Sequence, residues 1–152
     1  MLTDADYRYQ ADFRYALRRF LHVSAENARA AGVTPQQHLL LLAVRGHPSY
    51  PAVTITEVAE YLRVRHHSAS LLIERAVRRG AKPPLLDRLQ DATDRRRTLV
   101  SLTPEGEAIL ERITVANRAA LRVWSQVVSE FPGRPIDGME ADAAANIEAT
   151  RG

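Results

Sequence analysis

The sequence predicts a mainly α-helical fold with one small β-hairpin, and three features of its 152 residues support this. Apolar residues recur at helical spacing over most of the chain, as they do on helices that bury one face. Threonines at positions 34, 54 and 103 precede such segments and are typical helix caps. Two short segments of alternating polarity between residues 85 and 102 predict a pair of strands.

Residues 8–30 predict the first helix. Phe13, Leu17 and Phe20 fall on one side at helical spacing, whereas the arginines of this segment fall largely elsewhere. Gly32 is expected to end the helix, because glycine is common just past a helix C-terminus.

A second helix is predicted to begin at Thr34. This threonine is followed by Pro35 at the first helical position and by Gln37, which completes a capping box. The apolar run 39–44 is expected to be buried all round. The prolines within 46–51 predict a turn-rich break after it.

Two short helices joined by a tight turn are predicted next. Thr54 repeats the capping pattern and opens a short helix, and a second helix is expected from about 66 to 79. Ala59 is small where the two helices must cross closely, Val64 is expected to fill the turn, and Ala69 is expected to face back onto the first helix. This spacing indicates a helix-turn-helix.

A wing is predicted directly after these helices. Segments 85–90 and 97–102 alternate apolar and polar residues around the polar connection 91–96, which predicts a two-stranded hairpin. The predicted fold class is therefore mainly α, a winged helix-turn-helix with a two-stranded β wing.

The C-terminal part predicts one long helix and one shorter helix. Thr103 and Pro104 cap a helix that can continue to about residue 130, and its apolar stripe is longer than a small domain can cover. The stripe comprises Ile109, Leu110, Ile113, Ala116, Ala120, Leu121, Trp124, Val127 and Val128. Pro132 and Pro135 precede an Ala-rich helix expected at about 137–150.

Long N- and C-terminal dimerisation helices are therefore expected, because such a stripe needs a partner such as a second copy. We expect a single domain over 1–152, with dimerisation helices at about 5–30 and 104–150. The winged helix-turn-helix lobe is expected at about 34–102.

Basic charge is concentrated in one quarter of the chain. Residues 63–97 contain ten Lys or Arg and four Asp or Glu, whereas the remainder contains eleven and fourteen. Asp94 is followed by three consecutive arginines, whose guanidinium groups repel one another. Their natural counter-charge is an external polyanion, and double-stranded DNA is the first candidate.

The composition argues against several other classes of protein. The absence of cysteine excludes disulfides, thiolate metal sites and cysteine nucleophiles. No window approaches the roughly 20 apolar residues of a membrane span, and the N-terminus lacks a secretory signal, which predicts a soluble, cytoplasmic protein. No glycine-rich phosphate loop, nucleophile elbow or zinc-binding His-Glu pattern is present, so we expect neither an enzyme nor a cofactor.

The order of elements resembles the MarR (multiple-antibiotic-resistance regulator) family of bacterial winged-helix transcription factors. Asp94-Arg95-Arg96 and the segment 100–106, Val-Ser-Leu-Thr-Pro-Glu-Gly, are similar to the family's wing arginine motif and to the Leu-Thr-x-x-Gly entry to its long helix. Residues 54–62 are similar to its first helix-turn-helix segment. The chain departs from the family pattern at the insertion 81–84 and at Arg63, where glycine is common.

The resemblance implies a homodimeric regulator that binds a pseudo-palindromic operator. Regulators of this kind are often repressors that a small phenolic or aromatic-carboxylate effector releases from DNA.

The start of the second helix of the helix-turn-helix supplies the first candidate DNA contacts, because this segment enters the major groove. They are Arg65, His66, His67, Ser68 and Ser70. Arg65 could bind a guanine bidentately, and the imidazoles and hydroxyls could contact bases or phosphates. The two histidines diverge by about 100° on a helix, so no metal site is expected from them.

The wing supplies the other candidate contacts. We expect Arg96 to enter a minor groove and Arg97 to bind a phosphate, with Arg95 and Asp94 fixing the loop.

Tyr15, Arg18 and His22 on the first helix and His38 on the second are the candidate effector ligands. An aromatic ring, a cation and a hydrogen-bond donor could hold an aromatic anion. Ordinary packing of amphipathic helices also accounts for these residues.

Two alternatives to a DNA-binding regulator remain open. The same fold could be a protein-interaction module without specific DNA binding, which salt-dependent binding to duplex DNA would distinguish. An enzyme could use His66, His67 and Ser68, but Ser68 has no identifiable orienting acid.

Overall fold

The computed structural model describes residues 2–129. In chain order its elements are α1 (Asp4–Ala30), α2 (Pro35–Arg45), β1 (Val53–Thr54), α3 (Ile55–Leu62), α4 (His66–Val77), β2 (Leu86–Gln90), β3 (Thr98–Leu102) and α5 (Pro104–Ser129). The helix expected at about 137–150 lies outside the described residues.

The capping boxes predicted for α2 and α3 are confirmed. Thr34 Oγ1 accepts a hydrogen bond from the Gln37 N–H at 3.1 Å, and Thr54 Oγ1 accepts one from the Glu57 N–H at 3.2 Å. In both boxes the side chain of the third helical residue accepts a hydrogen bond from the threonine N–H. Side chains therefore satisfy two of the backbone donors that each helix start would otherwise expose.

The predicted wing hairpin is confirmed, and a third strand joins it. β2 and β3 pair antiparallel with Leu86 opposite Leu102, while β1 pairs with the other edge of β3 through Val53 opposite Val100. β1 could not be predicted from the sequence, because two residues are too few to show an alternating pattern.

The core lies between α2, α3, α4, the sheet and the first half of α5, and contact of Ala69 with this core is confirmed. Burial of the whole run 39–44 is wrong: Leu39 and Leu42 are 49% and 37% exposed, because they lie on the outer face of α2. Val64 is 38% exposed and does not fill the turn. Its N–H donates to the Ala59 carbonyl oxygen at 3.0 Å, so the backbone closes the turn.

Arg63 adopts the left-handed conformation expected for this turn, with φ of 53°. It is the C-cap of α3, and its N–H donates to carbonyl oxygens of the last helical turn. A non-glycine residue in this region is strained by about 1 kcal/mol.

Among the side chains that the structure describes, only the first part of the predicted apolar stripe on α5 is buried within the chain. Ile109, Leu110 and Ile113 are buried, but Ala116 is exposed and Leu121 is 43% exposed. The side chains of Val127 and Val128 lie outside the described part of the chain.

α1 packs along α5 within the same chain. Phe13 and Trp124 rings lie 5.1 Å apart between centroids. Asn117 is buried between the helices, where its Oδ1 accepts from Asn27 Nδ2 at 2.8 Å and its Nδ2 donates to Ser24 Oγ at 3.1 Å. This polar triad fixes the register of the two helices, because a shift would leave half-buried amide groups without partners.

Candidate nucleic-acid interface

The fold exposes the start of α4. Ala69, Ile73 and Ala76 form the buried face of this helix, so residues on the opposite face point away from the core. Arg65, His66, His67 and Ser68 are exposed and Ser70 is half-buried. The predicted contacts of this helix therefore lie mostly on an accessible surface, with Ser70 least accessible.

The exposed face of α4 continues beyond the residues singled out from the sequence. His67, Leu71, Arg75 and Arg78 recur at intervals of three or four residues, and all four are exposed. Leu71, Arg75 and Arg78 were missed, although their helical spacing from His67 could have identified them.

Two aspartates shape the wing loop. Asp91 Oδ1 accepts from the Thr93 hydroxyl at 2.7 Å and from the Thr93 N–H at 2.8 Å, and these hydrogen bonds lower the pKa of Asp91 below its ordinary value. Asp94 Oδ1 accepts from the Arg96 N–H at 3.0 Å, and the Asp94 carbonyl oxygen accepts from the Arg97 N–H at 2.9 Å. Both carboxylates therefore accept hydrogen bonds from backbone N–H groups of the loop.

All three wing arginines are exposed, but their surroundings differ. Arg97 Nη1 lies 3.7 Å from Asp91 Oδ2, so Arg97 has a partner in the wing. The guanidinium groups of Arg95 and Arg96 make no hydrogen bond or ion pair within residues 2–129. The loop is therefore held by Asp91 and Asp94, and the expected contribution of the Arg95 side chain to its geometry is wrong.

One cleft joins α4 to the wing. His66 lines this cleft of about 410 Å³ together with Arg96 and Arg97, and the first turn of α3 forms its floor. The helix start and the wing arginines therefore share one side of the molecule, as the charge pattern predicts.

Glu57 anchors the floor of this cleft. Its Oε2 accepts from the Thr54 N–H at 2.7 Å, and its Oε1 accepts from the Ser49 hydroxyl at 2.7 Å. Hydrogen bonding, chiefly from the Thr54 backbone, lowers the pKa of Glu57 to about 2. The ionised carboxylate thus ties the start of α3 to the turn that precedes β1.

Hydrogen bonds hold the insertion 81–84 and the residue that follows it in place. Arg79 donates to the Pro83 carbonyl oxygen at 2.9 Å and to the Gly32 carbonyl oxygen at 3.3 Å, which links the insertion to the loop between α1 and α2. The Leu85 N–H donates to the Ala76 carbonyl oxygen at 2.8 Å, and so fixes the start of the wing on α4.

Gly106 explains the glycine of the Leu-Thr-x-x-Gly segment. A Cβ atom at this position would collide with the Leu85 carbonyl oxygen, because the first turn of α5 crosses the chain directly at the wing's base. Thr103 supports the same junction, with its hydroxyl donating to the Pro84 carbonyl oxygen at 2.7 Å and accepting from the Gly106 N–H at 3.0 Å.

The four candidate effector ligands are not brought together. A groove of about 510 Å³ between α1 and α5 is lined by Tyr15, but Arg18, His22 and His38 are not among its lining residues. Arg18 and His22 are exposed, and His38 is 5% exposed on α2. Burial lowers the pKa of His38, so this imidazole is neutral near physiological pH.

Residues 2–129 contain no candidate metal site and no candidate membrane-spanning helix. No group of three or more His, Asp or Glu side chains there could hold a metal ion. None of the helices within residues 2–129 combines the length and apolar character that crossing a membrane requires.

Comparison with known proteins gives consistent matches. A model of the MarR family matches residues 31–97. The HTH-type transcriptional repressor MdtR of Bacillus subtilis (strain 168) is 25% identical over 130 residues, which cover 86% of this chain and 77% of MdtR.

Two solved structures show the same fold. The complex of S. aureus MepR with DNA has a TM-score of 0.63 at 19% identity, covering 98% of this chain and 99% of MepR. BpsR of Bordetella bronchiseptica, whose DNA binding is regulated by 6-hydroxynicotinic acid, has a TM-score of 0.57 at 22% identity, covering 94% and 98%.

Proposed function

We propose that this chain, which a model of the MarR family matches over residues 31–97, is a member of that family and a sequence-specific regulator of transcription that binds double-stranded DNA as a homodimer. The family consists of transcriptional regulators rather than enzymes. A regulator that binds the chromosome of a bacterium acts in the cytoplasm, where we place this protein.

The observation that carries the proposal is the cleft shared by α4 and the wing. His66, Arg96 and Arg97 line it together, so one protomer presents a helix start and a pair of guanidinium groups to the same side. In helix-turn-helix proteins the start of the second helix contacts base edges in the major groove, and arginines bind readily in a narrow minor groove. Arg65, His67 and Ser68 extend the helix contact, and Arg95 extends the wing contact.

The free guanidinium groups support binding to a polyanion. Arg95 and Arg96 have no partner within residues 2–129, and Arg97 has only a 3.7 Å contact with Asp91. Phosphate contacts made by such groups release counterions, so affinity should fall steeply as salt is raised.

The outer faces of α1 and α5 support the homodimer. Large apolar side chains are exposed on both helices, with Leu21 at 56% and Val123 at 54%. Apolar residues spaced along two adjacent helices are typical of a surface that another copy covers. A two-fold dimer presents two α4 helices to successive turns of DNA, which predicts a pseudo-palindromic operator.

Repression and release by an effector complete the proposal. MdtR is a transcriptional repressor, and the DNA binding of BpsR responds to an aromatic acid. In this chain the groove between α1 and α5 offers aromatic walls in Tyr15, Phe20 and Trp124 and a cation in Arg19. We place a phenolic or aromatic-carboxylate effector there. Arg18, His22 and His38 lie off this groove and have no part in this placement.

Such an effector acts only if it discriminates between conformations. The dimer must have two conformations that differ in the distance between its α4 helices, and the effector must bind more tightly to the one that does not fit DNA. Equal affinity for both conformations would leave their equilibrium unchanged.

The test is selection of duplexes bound by the purified protein from a random pool, repeated at two salt concentrations. A regulator enriches one palindromic sequence at both concentrations, with less DNA retained at the higher. If no sequence is enriched, the fold serves as a protein-interaction module instead.

A further inference from the structure

A second basic surface lies outside the cleft between α4 and the wing. Five cations from three separate segments line a pocket of about 740 Å³, together with the loop between α1 and α2. We call it the basic pocket, and its cations are Arg29, Arg75, Arg78, Arg79 and Lys82. No acidic residue is among its lining residues.

Neighbouring groups neutralise only part of this charge. Arg29 pairs with Glu26 at 2.6 Å, and Arg78 pairs with Glu74 at 3.4 Å. Arg75 and Lys82 make no side-chain hydrogen bond or ion pair in the described part of the chain. Folding thus brings five cations together with carboxylate partners for only two of them, an arrangement that an external anion stabilises.

Arg79 differs from the other cations because its guanidinium is bound to the backbone of the pocket. Its guanidinium donates to two backbone carbonyl oxygens, of Pro83 and of Gly32, and so builds the wall of the pocket. The groups free to bind an anion are therefore Arg75 and Lys82, with Arg78 beside them as an 80% exposed side chain.

The basic pocket adjoins the face of α4 that the proposed function turns to DNA. Arg75 and Arg78 lie on the same exposed face as His67, and Arg75 is eight residues further along the helix. Eight residues correspond to about 12 Å of helix, which is also about the width of the major groove. A helix whose start contacts base edges therefore carries these arginines to the phosphates that border the groove.

We propose that the basic pocket binds backbone phosphates of the operator beside the segment contacted by α4. This proposal rests on the proposed function and adds to it a sequence-independent contact formed by α4, the insertion and the loop between α1 and α2. Lys82 belongs to the insertion that departs from the family pattern, so this contact depends on a feature of this chain.

The test compares the double variant R75Q/K82Q with the wild type by fluorescence anisotropy, on a selected palindromic duplex and on a scrambled duplex of equal length. Each lost phosphate contact lowers the slope of log affinity against log salt by about 0.9, so we expect a decrease of nearly 2 per protomer. Affinity for both duplexes should fall together, by at least about tenfold at low salt. The ratio between the duplexes should not change, because phosphate contacts carry no sequence information.

R14Q/R118Q is the matched control. It removes the same charge from exposed positions that do not line the pocket. Because both positions lie on the helices of the proposed dimer, slopes are compared only among variants that keep the size of the wild type. An unchanged slope in R75Q/K82Q, or an equal decrease in the control, overturns the inference. If the slope is unchanged while the wild type binds inorganic pyrophosphate and the double variant does not, the pocket takes a free anion and the DNA contact is refuted. A wild type that binds neither duplex refutes the proposed function itself.

Discussion

Replacing Glu57 with Gln tests how the floor of the cleft between α4 and the wing is held. Gln can keep the capping-box geometry, because Gln37 already fills the equivalent position of α2 and accepts from the Thr34 N–H at 3.0 Å. The substitution removes the negative charge that the Thr54 N–H and the Ser49 hydroxyl stabilise. It therefore isolates the contribution of ionisation from that of the cap itself.

The magnitude follows from the pKa of Glu57, which falls from 4.5 to about 2 on folding. Taken in full, this shift corresponds to about 3 kcal/mol, and solvent screening of a partly exposed carboxylate reduces it to about 1 to 2 kcal/mol. Because the folded pKa lies below the unfolded value, the stabilisation is complete above pH 4.5 and is lost as pH falls toward 2.

Urea unfolding of wild type and E57Q at about pH 7 and about pH 3 measures this effect. We expect E57Q to be less stable by about 1 to 2 kcal/mol at neutral pH and the difference to shrink in acid. The converse variant Q37E is the control, and should acquire a loss of stability in acid that the wild-type cap of α2 lacks. A difference between wild type and E57Q that is zero at neutral pH, or that does not change with pH, would refute the reasoning.

Three further substitutions test the framework by urea unfolding. G106A should destabilise the protein by about 2 to 3 kcal/mol, because the new methyl group meets the Leu85 carbonyl oxygen, and a loss below about 0.5 kcal/mol would contradict this close approach. N117A should cost about 1 to 3 kcal/mol, because it leaves the Asn27 amide half-buried without its acceptor, so unchanged stability would rule out a structural role for the triad. R63G should leave stability unchanged or raise it by less than about 1 kcal/mol, because relief of the left-handed strain is offset by the greater freedom of glycine in the unfolded chain. A clear loss of stability in R63G would show that the Arg63 side chain makes a contribution of its own.

Local signals explain why most of the elements could be predicted. The threonine caps at 34 and 54 are short-range patterns whose hydrogen bonds stay within one helical turn, and both form as expected. The wing hairpin follows from alternation on both sides of a polar connection, and the structure forms it with β2 paired along β3 from Leu86 to Gln90. Such features depend on neighbouring residues and are therefore visible in the sequence.

The remaining features depend on contacts between distant segments. β1 exists because Val53 meets Val100, and the exposure of Leu39 follows from the way α2 is turned against the core. Burial of His38 likewise depends on its neighbours in space. No periodic pattern along the chain carries this information.

The candidate site divides in the same way. Exposure of the α4 start and of the wing arginines could be predicted, because these residues are polar and follow clear boundaries of the elements. The role of Asp91 and the assembly of the basic pocket could not, because Arg29 and Lys82 are far apart in sequence and line one pocket only in the folded chain. The charge count over 63–97 located most of these cations without showing how they are grouped.

The most direct test of the account measures binding of wild type, R65Q and R96Q to the selected palindrome and to a scrambled duplex over a range of salt concentrations. We expect R65Q to lose most of the preference for the palindrome, because a bidentate contact with a guanine discriminates by about 1 to 3 kcal/mol. We expect R96Q to weaken binding and to lower the salt slope by about 0.9 per protomer. If both variants keep the affinity, the preference and the salt slope of the wild type, the surface formed by α4 and the wing is not where this protein binds DNA.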